Sequence, residues 1–291
     1  MTGDLHCHTR LSDSSMGIDD LINLAQKRGV ETIAIVDRDC QAGTIRGKNI
    51  GERKGIKVVP GVELSAYDSK RNKYAELICY LPDYPDRLEG LCHRNIALRK
   101  RASQIMTLKI ARLYPITPEL VTKCASGSTA VFEQHIMHAL MECGLACDIY
   151  GDKFNELFSL GSEGNVVAIA NYPEPAQVLE AIHEAGGIAV LSHPGARDSF
   201  ELLEELVPLG LDGVEVWHPE NTPEQTAMLL KFAKEKDLLA TGGTEFRGMY
   251  SKNAVCVGDT DMPESCIKAL LGYKTKMKKR KAALAQANKD E

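Results

Sequence analysis

No stretch of the 291 residues reaches the run of ~18 apolar residues that a membrane span needs, so no membrane contact is expected. The chain also lacks a strong charge of either sign. Its net charge of −5 gives no broad pull toward nucleic acid or anionic membrane, while leaving room for a small anion in a local positive pocket. The nine cysteines are odd in number and include no Cys-x-x-Cys pair. They read as free thiols in a reducing compartment, with Cys7 and Cys79 acting as small apolar strand residues. A signal-peptide pattern is missing too, since the first residues run straight into Asp4, His6 and His8. A cytoplasmic location is therefore expected. Nothing in the sequence indicates an oligomeric state.

The hydrophobic share of 44% supports a large core, enough for one barrel with an insertion or for two domains. Short β-like runs fall at 3–8, 32–36, 57–62, 74–81, 188–191, 213–217 and 238–241. Uniformly apolar runs such as Ile33-Ala-Ile-Val36 and Ile188-Ala-Val-Leu191 suit parallel strands covered on both faces. Amphipathic segments at 18–28, 199–207 and 223–236 lie between them, the last opened by Thr222 as N-cap and Pro223 at the first helical position. Repeated strand–helix units predict an α/β fold with right-handed crossovers. The rhythm breaks at 85–175, where helical patterns follow one another (87–113, 118–125, 131–143, 153–160). That stretch reads as a helical insertion between barrel segments 1–84 and 176–273. The basic, polar tail 274–291 reads as a solvated helix.

His6 and His8 alternate on a strand, so both rings leave one face and can converge on one ion. Other apolar strands end or continue in polar groups: Asp37-Arg38-Asp39, Glu63, Glu76, His193, His218 and Glu245-Phe-Arg247. A core histidine or a capping carboxylate explains any one of these, but not all together. Strands that each finish in a group suited to metal or phosphate describe an active site at the mouth of a barrel.

These residues resemble a known family, the PHP (polymerase and histidinol phosphatase) phosphoesterases. Asp4-Leu-His-Cys-His-Thr9 with Ser12-Asp13 is similar to its first motif, Val36-Asp-Arg-Asp39 to its second and Gly61-Val-Glu-Leu-Ser65 to its third. Ala185–Gly195 and Thr241–Gly248 resemble the late motifs, and Phe132-Glu-Gln-His135 resembles the segment that brings a histidine to the substrate phosphate. The resemblance implies a distorted seven-stranded β/α barrel, with the insertion capping a two- or three-metal hydrolytic site.

Carried over residue by residue, one metal falls to His6, His8, Glu63 and Glu245. A second shares Glu63 and takes His193 and Glu76. The third would have used Asp13 with the positions now held by Arg38 and Arg247. Arginine stays protonated and has no lone pair for a metal, so one or two divalent ions are expected. Nitrogen and oxygen ligands without thiolate suit Mn, Fe or Zn. The two arginines either form a salt bridge filling a vacated hole or bind substrate phosphate beside Asp13, which orients them. His135 would also reach that phosphate. His193 or His218 could protonate the leaving group, and His218 reads equally well as a hydrogen-bond donor behind a ligand.

The leading reading is metal-assisted hydrolysis of a small phosphorylated molecule, a nucleotide or sugar phosphate, as a phosphatase or phosphodiesterase. The alternatives are a PHP-type exonuclease, disfavoured by the acidic balance, and a degenerate barrel that binds a phosphorylated metabolite without turnover.

Overall fold

The computed structural model describes the backbone of residues 2–290 and the side chains through residue 280 and at residue 282. Seven strands form one sheet in sequential order: β1 Gly3–Cys7, β2 Thr32–Ile35, β3 Lys57–Asp68, β4 Lys73–Tyr80, β5 Ile188–Leu191, β6 Gly213–Trp217 and β7 Leu239–Gly242. The sheet curls until its edges meet. Just beyond β7, Phe246 bridges to Cys7: the His8 N–H donates to the Phe246 carbonyl at 3.0 Å, and the Phe246 N–H to the His6 carbonyl at 3.3 Å. The result is a nearly closed seven-stranded α/β barrel.

The four residues of β2 and the four of β5 are buried throughout, as continuous apolar runs between two covered faces require. Inside the barrel Leu5, Ala34, Val36, Ile78, Tyr80 and Val190 pack together, and the Tyr80 hydroxyl donates to the Leu5 carbonyl at 2.8 Å. Full burial of each large aliphatic side chain contributes on the order of 1.5–3 kcal/mol. Helices Ile18–Lys27, Pro175–Glu184, Phe200–Leu206 and Pro223–Glu235 lie outside the strands. Thr222 caps the last of these through its Oγ1, 3.2 Å from the Gln225 N–H.

Strand β4 departs from the sequence expectation that every strand finishes at the barrel mouth. It pairs antiparallel with both β3 and β5, while all other neighbours are parallel. Glu76 reaches the mouth because it sits near the start of β4, not its end. The reversal also explains why β3 runs on to Asp68, past the expected 57–62. Up to Pro60 it pairs with β2, and from Gly61 it pairs with β4. At that exchange a side chain on Gly61 would meet the Cys79 carbonyl at 2.8 Å.

The 85–175 segment holds helices Glu89–Leu113, Pro118–Cys124, Glu133–Glu142 and Asp152–Phe158. They share their own core of Met106, Ile110, Ile136, Met137, Leu140 and Leu157. The final helix, Glu264–Asp290, begins well before residue 274, and its Ile267 and Leu270 pack into the barrel interior. Of the expected basic tail, residue 291 and the side chains at 281 and 283–290 lie outside the described residues.

Candidate metal and active site

Four strand tops bring His6, Glu63, His193 and Glu245 together. One ligand atom from each lies within 4.8 Å of all the others, and all four residues are buried. His8 joins them from the end of β1: its Nε2 is 3.1 Å from that of His6 and 3.6 Å from Glu63 Oε2. Two ring nitrogens facing each other at that separation repel unless a cation or proton lies between them. The separation also matches two imidazoles sharing one ion at about 2.1 Å each. His193 Nε2 sits 3.3 Å from both Glu63 Oε1 and Glu245 Oε1. It has no hydrogen-bond geometry to either, and Glu63 Oε2, though 3.1 Å from Arg38 Nη1, likewise makes no hydrogen bond among the described residues. Orphaned buried donor atoms converging on one point fit a divalent cation.

Glu215, on β6, was not singled out in the sequence. It is wholly buried, with Oε1 2.9 Å from His6 Nδ1 and Oε2 accepting from the His193 N–H at 2.9 Å. Holding Nδ1–H in this way turns the Nε2 lone pair of His6 toward the cluster. The available signal was a lone carboxylate inside an otherwise apolar strand, Gly213-Val-Glu-Val-Trp217. Burial opposes a charged His6, but Glu215 and Glu63 outweigh it and raise its pKa well above the ordinary value. Burial likewise opposes a charged His193, and Glu245, Glu63 and Glu76 lift it to about 9. For His8 burial wins, lowering its pKa to about 3.

Arg38 lies among the carboxylates. Its Nε donates to Asp13 Oδ2 at 2.9 Å, its Nη1 is 3.1 Å from both Glu63 Oε2 and Glu76 Oε1, and its Nη2 is 3.1 Å from Glu245 Oε1. Arg247 places its Nε 2.9 Å from the same Asp13 oxygen and pairs with Glu245 through Nη2. Burial favours a neutral Asp13, yet Arg247, His8 and Arg38 together hold it well below the usual carboxylate range. Glu76 lies at the edge of this carboxylate cluster, where Oε1 takes both Arg38 and Arg197, the latter at 3.0 Å, and Oε2 is buried without a hydrogen-bond partner among the described residues.

His218 puts Nε2 3.2 Å from Glu245 Oε2, while its Nδ1 accepts the Glu220 N–H at 3.2 Å. The proton of the neutral ring is thereby kept on Nε2. His135 turns its Nδ1 to the Phe132 N–H at 3.1 Å and its ring edge to Tyr250, behind the cavity wall. Asp4, Asp37 and Asp39 point away from the centre and fasten loops. Asp4 takes Thr244, Asp37 takes Thr9 and Ser12, and Asp39 takes Ser65 and Asn95.

Above this floor lies a cavity of about 380 Å³. Asp13, Arg38, Glu76, His193, Glu245 and Arg247 form its base, and Arg99, Phe132, Tyr150, Phe154 and Tyr172 of the 85–175 segment form its far wall.

The profile of the PHP domain matches residues 4–183. The chain belongs to the PHP family. A phosphoribosyl 1,2-cyclic phosphate 1,2-diphosphodiesterase of Eggerthella lenta is 31% identical over 255 residues, covering 87% of this chain and 96% of that protein. A 5'-3' exoribonuclease of Haemophilus influenzae is 28% identical over 249 residues, covering 84% and 89%. A solved structure from Bifidobacterium adolescentis, described as a metal-dependent phosphoesterase, superposes with a TM-score of 0.83 at 28% identity over 92% of this chain and 95% of that one. This PHP protein is therefore a metal-dependent phosphoesterase, with a buried His/Glu cluster suited to the metal. Among the described residues, no helix is long and apolar enough to cross a membrane.

Proposed function

We propose that this PHP protein hydrolyses a phosphate ester of a small molecule, a nucleotide or sugar phosphate. One or two divalent ions, Mn, Fe or Zn, would be held by His6, His8, Glu63, Glu76, His193 and Glu245. The observation that carries the reading is the convergence of His6, Glu63, His193 and Glu245 beneath a cavity whose base also holds Arg38 and Arg247. Guanidinium groups at the family's third metal position limit the ions to two. A bound ion supplies a Lewis acid and acidifies a water.

The chain's own residues would do the rest. Asp13 sets the direction of Arg38 and Arg247, which bind phosphate oxygens. Arg38 has five N–H groups, and the four carboxylates around it leave at least one for substrate. His218 in its doubly protonated form, or His193 where it holds no metal, would deliver a proton to the leaving oxygen, and the neutral His218 ring serves instead as a hydrogen-bond donor to Glu245. The 85–175 segment would set substrate size, with His135 reaching the phosphate only if its ring swings out from behind Phe132. A cavity of about 380 Å³ suits a mononucleotide-sized ligand. The free thiols support a cytoplasmic location.

The exonuclease reading keeps one specific support, the likeness to the Haemophilus influenzae exoribonuclease. Metal analysis with a panel of phosphate monoesters, diesters and short oligonucleotides tests all three readings. Turnover of small esters with bound metal is expected. Turnover of oligonucleotides alone would replace it with the exonuclease reading, and metal-free protein without turnover on any ester would leave a binding module. On an active ester, His218→Asn should slow turnover about 10²–10⁴-fold, less so when the leaving group is p-nitrophenolate, with metal content unchanged.

A further inference from the structure

The far wall of the cavity carries an apolar patch that the hydrolytic chemistry does not use. Tyr150, Phe154 and Phe158 recur every four residues, the last two on helix Asp152–Phe158, and all three line the cavity. Successive rings stand 4.9 Å and 5.1 Å apart, tilted by 54° and 45°. Rings in such contact form a continuous wall. The foot of this ladder is tied to the loop that carries Arg247. The Tyr150 hydroxyl donates to the Tyr250 carbonyl at 3.1 Å and accepts from Gln134 Nε2 at 2.8 Å, and the Tyr250 N–H donates to the Arg247 carbonyl at 3.2 Å. Beyond Phe158, Leu160 also lines the cavity and is 54% exposed.

Met106, Val131 and Ala168 line the cavity too, and join the three rings in the segment's own core cluster. Apart from the weak acceptor of the Met106 sulfur, none of the side chains beyond Tyr150 in this patch can make a hydrogen bond. The cations of the cavity are engaged elsewhere: Arg38 and Arg247 at the base, Arg99 against Phe132 and Tyr172, Arg197 on Glu76 and Lys252 on Glu220. Phe154, Phe158, Val131 and Ala168 are half-buried, so apolar surface is left facing the cavity. Apolar surface continuous with a reaction centre marks a ligand groove. A ring laid against it buries apolar area and gains tilted aromatic contacts. A ring with amine or amide groups on its edge would give up its hydrogen bonds to water and find no partner on this wall.

We propose that this wall is a substrate subsite for an apolar ring, so that the preferred phosphate esters carry an aryl group rather than a polar-edged one. Hydrolysis adds water across the P–O ester bond and releases the ring-bearing alcohol and inorganic phosphate. The proposal rests on the phosphoesterase reading and narrows it, ranking an apolar ring above a purine of the same shape.

The test compares kcat/KM of Mn-loaded protein on ethyl phosphate, 2-(indol-1-yl)ethyl phosphate and 2-(adenin-9-yl)ethyl phosphate. All three are monoesters of a primary alcohol, so the reacting bond is matched. Wild type should favour the indolyl ester over ethyl phosphate by about tenfold or more, the scale of apolar groups in a hydrophobic pocket. It should favour it over the adenine ester by about ten- to a hundredfold, the scale of an unpaired buried polar group. Phe158→Asn should cut the advantage over ethyl phosphate about tenfold. Equal efficiency on the indolyl and ethyl esters, an adenine ester turned over as fast as the indolyl one, or an equal loss on all three in a Phe158→Asn variant that melts like wild type overturns the proposal. If Phe158→Asn melts lower, Leu160→Asn decides, because that side chain is largely exposed: an unchanged indolyl advantage in this variant also overturns it. If Mn-loaded wild type turns over none of the esters, the phosphoesterase reading is refuted, and calorimetry with the three matching phosphonates decides the subsite: tightest binding of the indolyl compound supports it, and equal binding of the three overturns it.

Discussion

His6 Nδ1 lies 2.9 Å from Glu215 Oε1, with both side chains wholly buried. The contact fixes which nitrogen of His6 is free. Glu215→Gln keeps the size but weakens the acceptor, and should lower metal affinity about 10–100-fold, with a parallel loss of kcat/KM at limiting metal. Competition with a fluorescent chelator measures the affinity. Unchanged affinity would reduce Glu215 to a packing role.

Arg38→Lys separates the two readings of the arginine pair. Lysine keeps the charge and loses the planar fork. Phosphate binding predicts a ten- to a hundredfold fall in kcat/KM for metal-loaded enzyme, or roughly 1.5–3 kcal/mol, with an unchanged melt. A purely structural ion pair predicts a lowered melt and unchanged efficiency. Because Arg38 touches four buried carboxylates, the metal-stripped variant should melt lower than stripped wild type under either reading.

His193 makes a pH-dependent forecast. Its folded pKa of about 9 lies above its ordinary 6.5. The stabilisation from its charged form is complete below about pH 6.5 and fades as the pH rises through about 9. Metal-stripped protein should therefore lose melting temperature across that window, and His193→Gln should flatten the slope. Metal uptake at pH 7 should release protons from His193 and His6, visible as buffer-dependent heats in calorimetry. Buffer-independent heats would contradict the protonated state.

Gly243 permits the close approach of β1. A side-chain carbon there would stand 2.4 Å from both the backbone nitrogen and Cβ of His6. Gly243→Ala should cost about 1–3 kcal/mol and weaken metal binding by displacing His6. Gly90→Ala, with nothing within 4 Å, is the control and should not destabilise. A wild-type melt for Gly243→Ala would show that β1 can shift.

Period-two alternation exposed His6 and His8, and apolar runs ending in His193 or Glu245 marked the barrel mouth. Those signals are local in the chain. Strand direction is not local: the apolar run of β4 reads the same either way, so the placement of Glu76 at a strand start stayed hidden. Asp37 and Asp39 flank Arg38 with the same chemistry as ligands, and only the folded backbone shows that they fasten Thr9 and Ser65 instead. The residue pattern around Phe132 and His135 marked the segment, but the ring's orientation depends on Tyr250, more than 100 positions along the chain.

The reversed strand β4 has an engineering consequence. Its end, Tyr80, pairs with Ile188 at the start of β5, so the 85–175 segment departs beside the barrel base, where the Tyr84 N–H meets the Ala185 carbonyl at 2.9 Å, and rejoins the barrel beside the far end of β3, where the Tyr67 N–H meets the Pro173 carbonyl at 2.9 Å. The 25-residue helix Glu89–Leu113, about 37 Å long, meets Asp39 and Ser65 through Asn95 and then runs on past the mouth. The far wall of the cavity is thus a single continuous cassette, joined to the barrel once at its base and once beside the end of β3. A chimera carrying a relative's 96–172 equivalent would exchange the substrate-facing wall and leave every proposed metal ligand on its own strand.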